Sequence, residues 1–220
     1  MQRYYKFAAG LLLGLIAPAL HAADTQFWTA WNVGEWKSGN FSTKSHFENR
    51  HADDLDLIYV RYSQKFNYKL DDVWSLGLHP VYETSRGSDD WKDTYRLDLE
   101  ATTKLKLTDR LGLKLRHRYE VRRKEGKGSE AMDRVRQQVA LSYKANWLPS
   151  MTSIGIANEW FYEIDKERIT LDRFYPIQIG FQPSDSFKTT VYYLYQSNRQ
   201  GLSGNWSGTH IIGLSSSFKF

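Results

Sequence analysis

The chain has 220 residues, a formal charge of +5 and no cysteine, and its 8 Trp, 14 Tyr and 11 Phe make 15% of it aromatic. Without Cys there is no disulfide frame, thiolate metal site, thiol nucleophile or lipid-carrying N-terminal Cys. A mean hydropathy of −0.59 excludes a bundle of membrane helices, and the charge excess, two units of which are Arg3 and Lys6, is too slight to point to nucleic acid.

In chain order, the first feature is a basic stretch, Gln2-Arg3-Tyr4-Tyr5-Lys6, followed by an apolar run from Phe7 to Leu20 and then Ala22-Ala23-Asp24. This pattern predicts a Sec-type signal peptide over residues 1–22, too short to stay as a spanning helix. Ala17-Pro18-Ala19 competes with Ala22 as the cleavage site. Residues 23–220 are then one exported domain.

Segments 27–36, 41–50, 58–70 and 74–82 alternate apolar and polar residues loosely. From Tyr95 the alternation is clear. Tyr95, Leu97, Leu99, Ala101, Leu105 and Leu107 oppose Arg96, Asp98, Glu100, Thr102, Lys104 and Lys106. In the next segment Leu111, Leu113, Leu115, His117, Tyr119 and Val121 oppose Gly112, Lys114, Arg116, Arg118, Glu120 and Arg122. Side chains alternate faces along a strand, so each segment has one greasy and one charged face; a helix would spread these arginines around its circumference. Val135, Val139, Leu141, Tyr143, Ala145 and Trp147 oppose Arg134, Arg136, Gln138, Ser142 and Lys144. The same reading puts Ile154, Ile156, Trp160 and Tyr162 against Glu159 and Glu163, and Ile177, Ile179 and Phe181 against Gln178 and Gln182. Val191, Tyr193 and Tyr195, and finally Ile212, Leu214, Phe218 and Phe220, complete the series.

Tight turns are expected at Leu70–Val73, Leu107–Arg110, Leu148–Ser150 and Pro183–Ser186, and longer polar linkers at 51–56, 86–93, 124–130 and 197–208, with a short one at 165–168. Short turns on one rim and longer loops on the other suit an outer-membrane barrel with periplasmic turns and extracellular loops. The expected fold is therefore an all-β, transmembrane, antiparallel up-and-down β-barrel of 10–12 strands. The segments number eleven, whereas single-chain bacterial barrels use even numbers. That leaves 10 strands if 27–36 is not a full strand, or 12 if two have been merged. The girdle aromatics expected at the periplasmic rim are Phe66, Tyr68, Trp147, Phe181, Phe187 and Phe220, and at the outer rim Tyr82, Tyr119, Trp160 and Tyr195.

Several short motifs, in order, resemble a known family over nearly the whole exported chain. They are Phe27-Trp28-Thr29, Phe47-Glu48-Asn49-Arg50, Trp74-Ser75-Leu76-Gly77-Leu78, Tyr95-Arg96-Leu97-Asp98-Leu99-Glu100, Asn158-Glu159-Trp160-Phe161-Tyr162 and Ser216-Ser217-Phe218-Lys219-Phe220. The chain resembles the DUF2490 group of proteobacterial outer-membrane proteins, whose function is uncharacterised, and is more distantly similar to small oligogalacturonate-specific porins. The resemblance implies the barrel fold and an outer-membrane location, among lipopolysaccharide and reached through the barrel-assembly machinery. The porin likeness further implies an acidic oligosaccharide as solute.

The candidate site is the charge on the inward faces. Arg96, Lys104, Lys106, Lys114, Arg116, Arg118, Arg122, Arg134, Arg136 and Lys144 belong to three consecutive segments and share them with Asp98, Glu100 and Glu120; Glu159, Glu163 and Asp172 follow on the next segments. Strands lie ~4.8 Å apart, so this reads as a basic wall facing a more acidic one. Arginine forks suit carboxylate, phosphate or sulfate, so one reading is a narrow pore for anionic solutes. In the other, the two walls interlock as salt-bridged filling and the barrel is a closed structural or binding element.

An outer-membrane hydrolase is the weakest reading. His46, Glu48 and His51 sit near one expected loop, and His79 and Glu83 share a face, but there is no Gly-x-Ser-x-Gly elbow and no His-Glu-x-x-His. The acidic stretches Asp53–Asp56 and Asp89–Asp93 lack the spacing of a calcium loop and read as solvated loops. No enzyme activity, cofactor or metal is expected.

Overall fold

The computed structural model describes residues 25–88, 90–126, 132–199, 201 and 204–219. The expected signal peptide at 1–22, the girdle residue Phe220, and residues 89, 127–130, 200, 202 and 203 of the expected loops lie outside the described residues. The described residues form eleven strands: β1 (Thr25–Ser38), β2 (Phe41–His51), β3 (Leu57–Lys69), β4 (Trp74–Arg86), β5 (Trp91–Lys106) and β6 (Leu111–Lys124). They continue with β7 (Arg134–Lys144), β8 (Met151–Glu163), β9 (Arg168–Ser184), β10 (Phe187–Arg199) and β11 (Trp206–Phe218).

These form one closed barrel in sequence order. An up-and-down chain with an odd number of strands ends with its first and last strands pointing the same way. The closing pair is accordingly parallel, with Phe27 opposite Ile212 and Val33 opposite Phe218, while every other pair is antiparallel. Among the described residues the count is eleven, within the expected range of 10–12, and Phe27–Trp36 lies within a full strand. Thr25 lies at one rim and Phe218 at the other.

The rims differ less than the sequence suggests. One carries connections 39–40, 70–73, 107–110, 145–150 and 185–186; the other carries 52–56, 87–90, 125–133, 164–167 and the stretch after Arg199. Strands run further into the polar linkers than expected, so the asymmetry rests mainly on 125–133. Connection 145–150 carries the expected tight turn, in which the Met151 N–H donates to the Leu148 carbonyl at 3.1 Å, and Ala145, Leu148 and Met151 fold against Tyr143, Ile154 and Ile179 in an apolar cluster on the barrel's exterior. We call the two ends the turn rim and the loop rim.

The exterior is a band of exposed apolar side chains, including Leu76, Leu78, Leu97, Leu99, Leu105, Leu141 and Ile156. Aromatic pairs edge it. Toward the turn rim Trp36 meets Phe41, Phe41 stacks on Phe66, and Phe218 touches both Trp31 and Phe187. Toward the loop rim Phe47 meets Tyr62 and Tyr82 meets Tyr95. Two bulges set which side chains point out. Gly34, at φ 63°, lies in a register shift between Val33 and Trp36, a left-handed position suited to glycine. It turns Trp36 outward into the girdle. On β9 the register slips around Pro176, where a residue without an N–H is tolerated.

Candidate functional site: an ion-paired belt over a basic cavity

Alternation places Glu48 and Arg50 of β2, Tyr59 and Arg61 of β3, Glu83 of β4, and Arg96, Asp98 and Glu100 of β5 inside the barrel. Arg116, Arg118 and Glu120 of β6, Arg134 and Arg136 of β7, Glu159 of β8 and Arg173 of β9 complete the set. Their side chains interlock. Arg96 is 2.6 Å from Asp98 and 2.9 Å from Glu83. Arg118 bridges Glu100 at 2.6 Å and Asp98 at 3.2 Å. Arg134 and Arg136 both donate to Glu120, at 2.6 and 2.7 Å, and Arg136 and Arg116 both donate to Glu159, at 2.8 and 2.7 Å.

Two of these contacts reach over an intervening strand. Arg116 of β6 meets Glu159 of β8 past β7, and Arg61 of β3 approaches Asp98 of β5, at 3.7 Å, past β4. Guanidinium–aromatic stacking closes the ring on the other side. Arg50 pairs with Glu48 at 2.6 Å and lies 3.8 Å from the Trp28 ring and 3.9 Å from the Tyr59 ring. Arg173 lies 4.8 Å from both Trp28 and Phe161, and Arg136 stands 4.2 Å over Phe161. The result is a belt around the lumen. Asp98 and Glu120 are 0% exposed and Glu159 1%. Each buried carboxylate is met by at least two arginines, as burial of a charge requires. The forked guanidinium, with five donors in a plane, is what lets one cation serve two anions.

The basic and acidic walls expected from sequence are therefore intermixed. Arg96, Arg116, Arg118, Arg134 and Arg136 sit in the belt with Asp98, Glu100, Glu120 and Glu159. Others are peripheral: Lys144 is exposed at the turn rim, and Lys106 pairs with Asp109 at 2.7 Å in the turn after β5. Arg122, opposite Arg96, is half-buried, and Glu163 at the loop rim bonds Lys166. Asp172 does not belong to an inward wall. The slip at Pro176 reverses the alternation upstream, so Arg173 points in and Asp172 stands on the outer face, beside Trp160 and Ser197. Sequence reasoning did not count Trp28, Arg50, Arg61 or Arg173 among the site residues, although Trp28 and Arg50 stand in the motifs that carry the family resemblance.

Between the belt and the turn rim the lumen is open. A cavity of about 560 Å³ extends to Gly39, Asn40 and Asp71–Val73 and is walled by Lys65, Lys104 and Lys114. Among the described residues none of these three lysines has a carboxylate in salt-bridge range, and Lys65 has only Asn32 Oδ1, at 3.5 Å. Lys69, at the mouth, is paired to Asp72 and holds that exposed turn carboxyl below its ordinary range. A second cavity of about 300 Å³ shares Lys65, Lys114, Arg116 and Arg118 with the first. It reaches the opposite wall at Tyr175, Gln178, Thr190, Tyr192 and Ser215, with Arg136, Glu159 and Arg173 bordering it.

The histidines are tied into this interior. His46 Nδ1 is 3.0 Å from Asn32 Oδ1 and its Nε2 is 3.7 Å from Glu48, while His51 ends β2 on the opposite face. His79 is 3.2 Å from Asn67, and Glu83 accepts from Tyr59 at 2.7 Å. Among the described residues no three His, Asp or Glu side chains gather as a metal site.

Closed barrel, apolar exterior and charged interior together define a membrane-type β-barrel. The family model described as a protein of unknown function, DUF2490, matches residues 25–206, and the chain belongs to that family. Among solved structures it is similar to the NanC porin, with 14% identity over 89% of this chain and 99% of that one and a TM-score of 0.48. It is also similar to the KdgM porin in complex with disordered oligogalacturonate, with 18% identity over 84% and 88% and a TM-score of 0.46. No curated protein matches the chain.

Proposed function

We propose that the protein is exported to the outer membrane and forms a narrow, anion-preferring pore, entered through the basic cavity and constricted at the belt. The apolar exterior between aromatic girdles supports the location. The observation that carries the pore reading is the group Lys65, Lys104 and Lys114, three lysines facing a cavity with no carboxylate of the described residues in salt-bridge range, and leading to the arginine-rich belt. Unneutralised charge in a low-dielectric funnel concentrates anions at its mouth.

Purified barrel in a planar bilayer under a salt gradient tests this. The expected result is a small conductance with a reversal potential on the anion side, its selectivity weakening at high salt as screening sets in. A cation-side reversal potential contradicts it. A second reading, a closed binding barrel, is favoured by the 0% exposure of Asp98 and Glu120 at the belt. It predicts no current at any salt.

A further inference from the structure

Arg173 stands apart from every other belt arginine that reaches the second cavity. It is 9% exposed, yet no carboxylate among the described residues pairs with it. Its Nε donates to Gln196 Oε1 at 2.8 Å, and its guanidinium plane rests against Trp28 and Phe161. A guanidinium so buried would ordinarily sit beside an acid. With Nε committed to Gln196, its terminal NH₂ groups are the donors left to serve the cavity it borders. Hydroxyl and amide groups of Gln138, Gln178, Thr190 and Ser215 line the same 300 Å³ space. Those groups give and take hydrogen bonds with hydroxyls.

We propose that this second cavity is a binding site for a small polyhydroxylated carboxylate, such as a single sugar acid, with the carboxylate on Arg173 and the hydroxyls on Gln138, Gln178, Thr190 and Ser215. The volume, at the low end of the ~300–1,000 Å³ typical of ligand pockets, sets the size at about one ring. This deepens the pore reading and rests on it for delivery of the solute, but binding itself needs no current.

Calorimetric titration of the refolded full barrel in detergent, with glucuronate, glucose and glucose 1-phosphate as probes, tests the site. Glucuronate is expected to bind and glucose to bind at least tenfold more weakly. Arg173→Gln is expected to weaken glucuronate at least tenfold, with Arg173→Lys restoring part of the loss. Ala140→Leu, which leaves every charge in place and fills the cavity from β7, is expected to abolish binding, and it serves if Arg173→Gln fails to refold. Equal binding of glucose, preference for the phosphate ester, or glucuronate affinity unchanged in Arg173→Gln or Ala140→Leu each overturns the proposal. Anion-selective current with no Arg173-dependent binding removes this site and leaves the pore. Arg173-dependent binding without current removes the pore and leaves the site.

Discussion

From β2 to β8 the inward positions carry arginines and carboxylates, whereas on β9–β11 and β1, Arg173 aside, Tyr175, Tyr192, Leu194, Ile211 and Trp28 stand in place of ion pairs. Leu194 and Ile211, both fully buried, pack with Trp28 in a small hydrophobic core, and Tyr175 and Tyr192 lean against it. This apolar half backs the parallel closing pair of β1 and β11, where it joins β10, β11 and β1 by ordinary packing. The charged half joins neighbouring strands by ion pairs, two of which pass over an intervening strand. The apolar half packs along the seam; the charged half forms the belt and borders both cavities.

The two halves should therefore fail differently. Glu120 accepts from Arg134 and Arg136, and Arg96 and Arg118 lie within 3.7 and 3.9 Å of it. Glu120→Leu leaves these cations without their shared anion and should cost about 3–5 kcal/mol in urea unfolding of the refolded barrel. If the variant unfolds at the wild-type urea concentration, the belt is not held by its ion pairs. The exterior supplies the next contrast. Leu99→Arg, facing the apolar band, should cost about 2–4 kcal/mol, while Ser142→Arg on the inward, exposed side should be mild; equal tolerance of the two would contradict the facing assigned here. The smallest effect belongs to the apolar half. A Cβ at Gly213 would sit 2.0 Å from the Tyr192 ring. Gly213→Ala should cost about 1–3 kcal/mol by displacing that ring. Tyr192→Ala in the same chain should remove the clash, and a double variant less stable than either single would argue against that contact as the cause.

Much of this was legible in the sequence, and the rest was hidden for identifiable reasons. Strands β5 to β8 announce themselves because lipid-facing Leu and lumen-facing Arg or Glu differ so sharply in polarity. On β2 and β3 the lumen-facing residues are Glu48, Arg50 and Arg61, but the outer face carries Thr43, Ser45, Asn49 and Gln64, so the contrast fades. Ser45, Thr43 and Tyr62 satisfy Gln64 there by hydrogen bonds. The same alternation, followed back from Tyr62, would have found Arg61. Arg173 could not be found that way: counting by twos from Ile177 puts Asp172 inside, and only the bulge at Pro176 corrects it. Phe161 was obscured by its neighbours, since Trp160, Phe161 and Tyr162 are all aromatic and nothing in composition says that the middle one turns in to carry Arg134, Arg136 and Arg173.

The central claim is that the belt is the narrowest, anion-selecting part of a conducting lumen. It is tested most directly by the reversal potential of single channels carrying Arg116→Gln, Arg118→Gln and Arg136→Gln together, measured beside the wild type in the same salt gradient. The account predicts a conducting variant whose reversal potential moves toward the cation side, most strongly at low salt, because Glu100, Glu120 and Glu159 then face the path with fewer partners. A conducting triple variant with the wild-type reversal potential would contradict it.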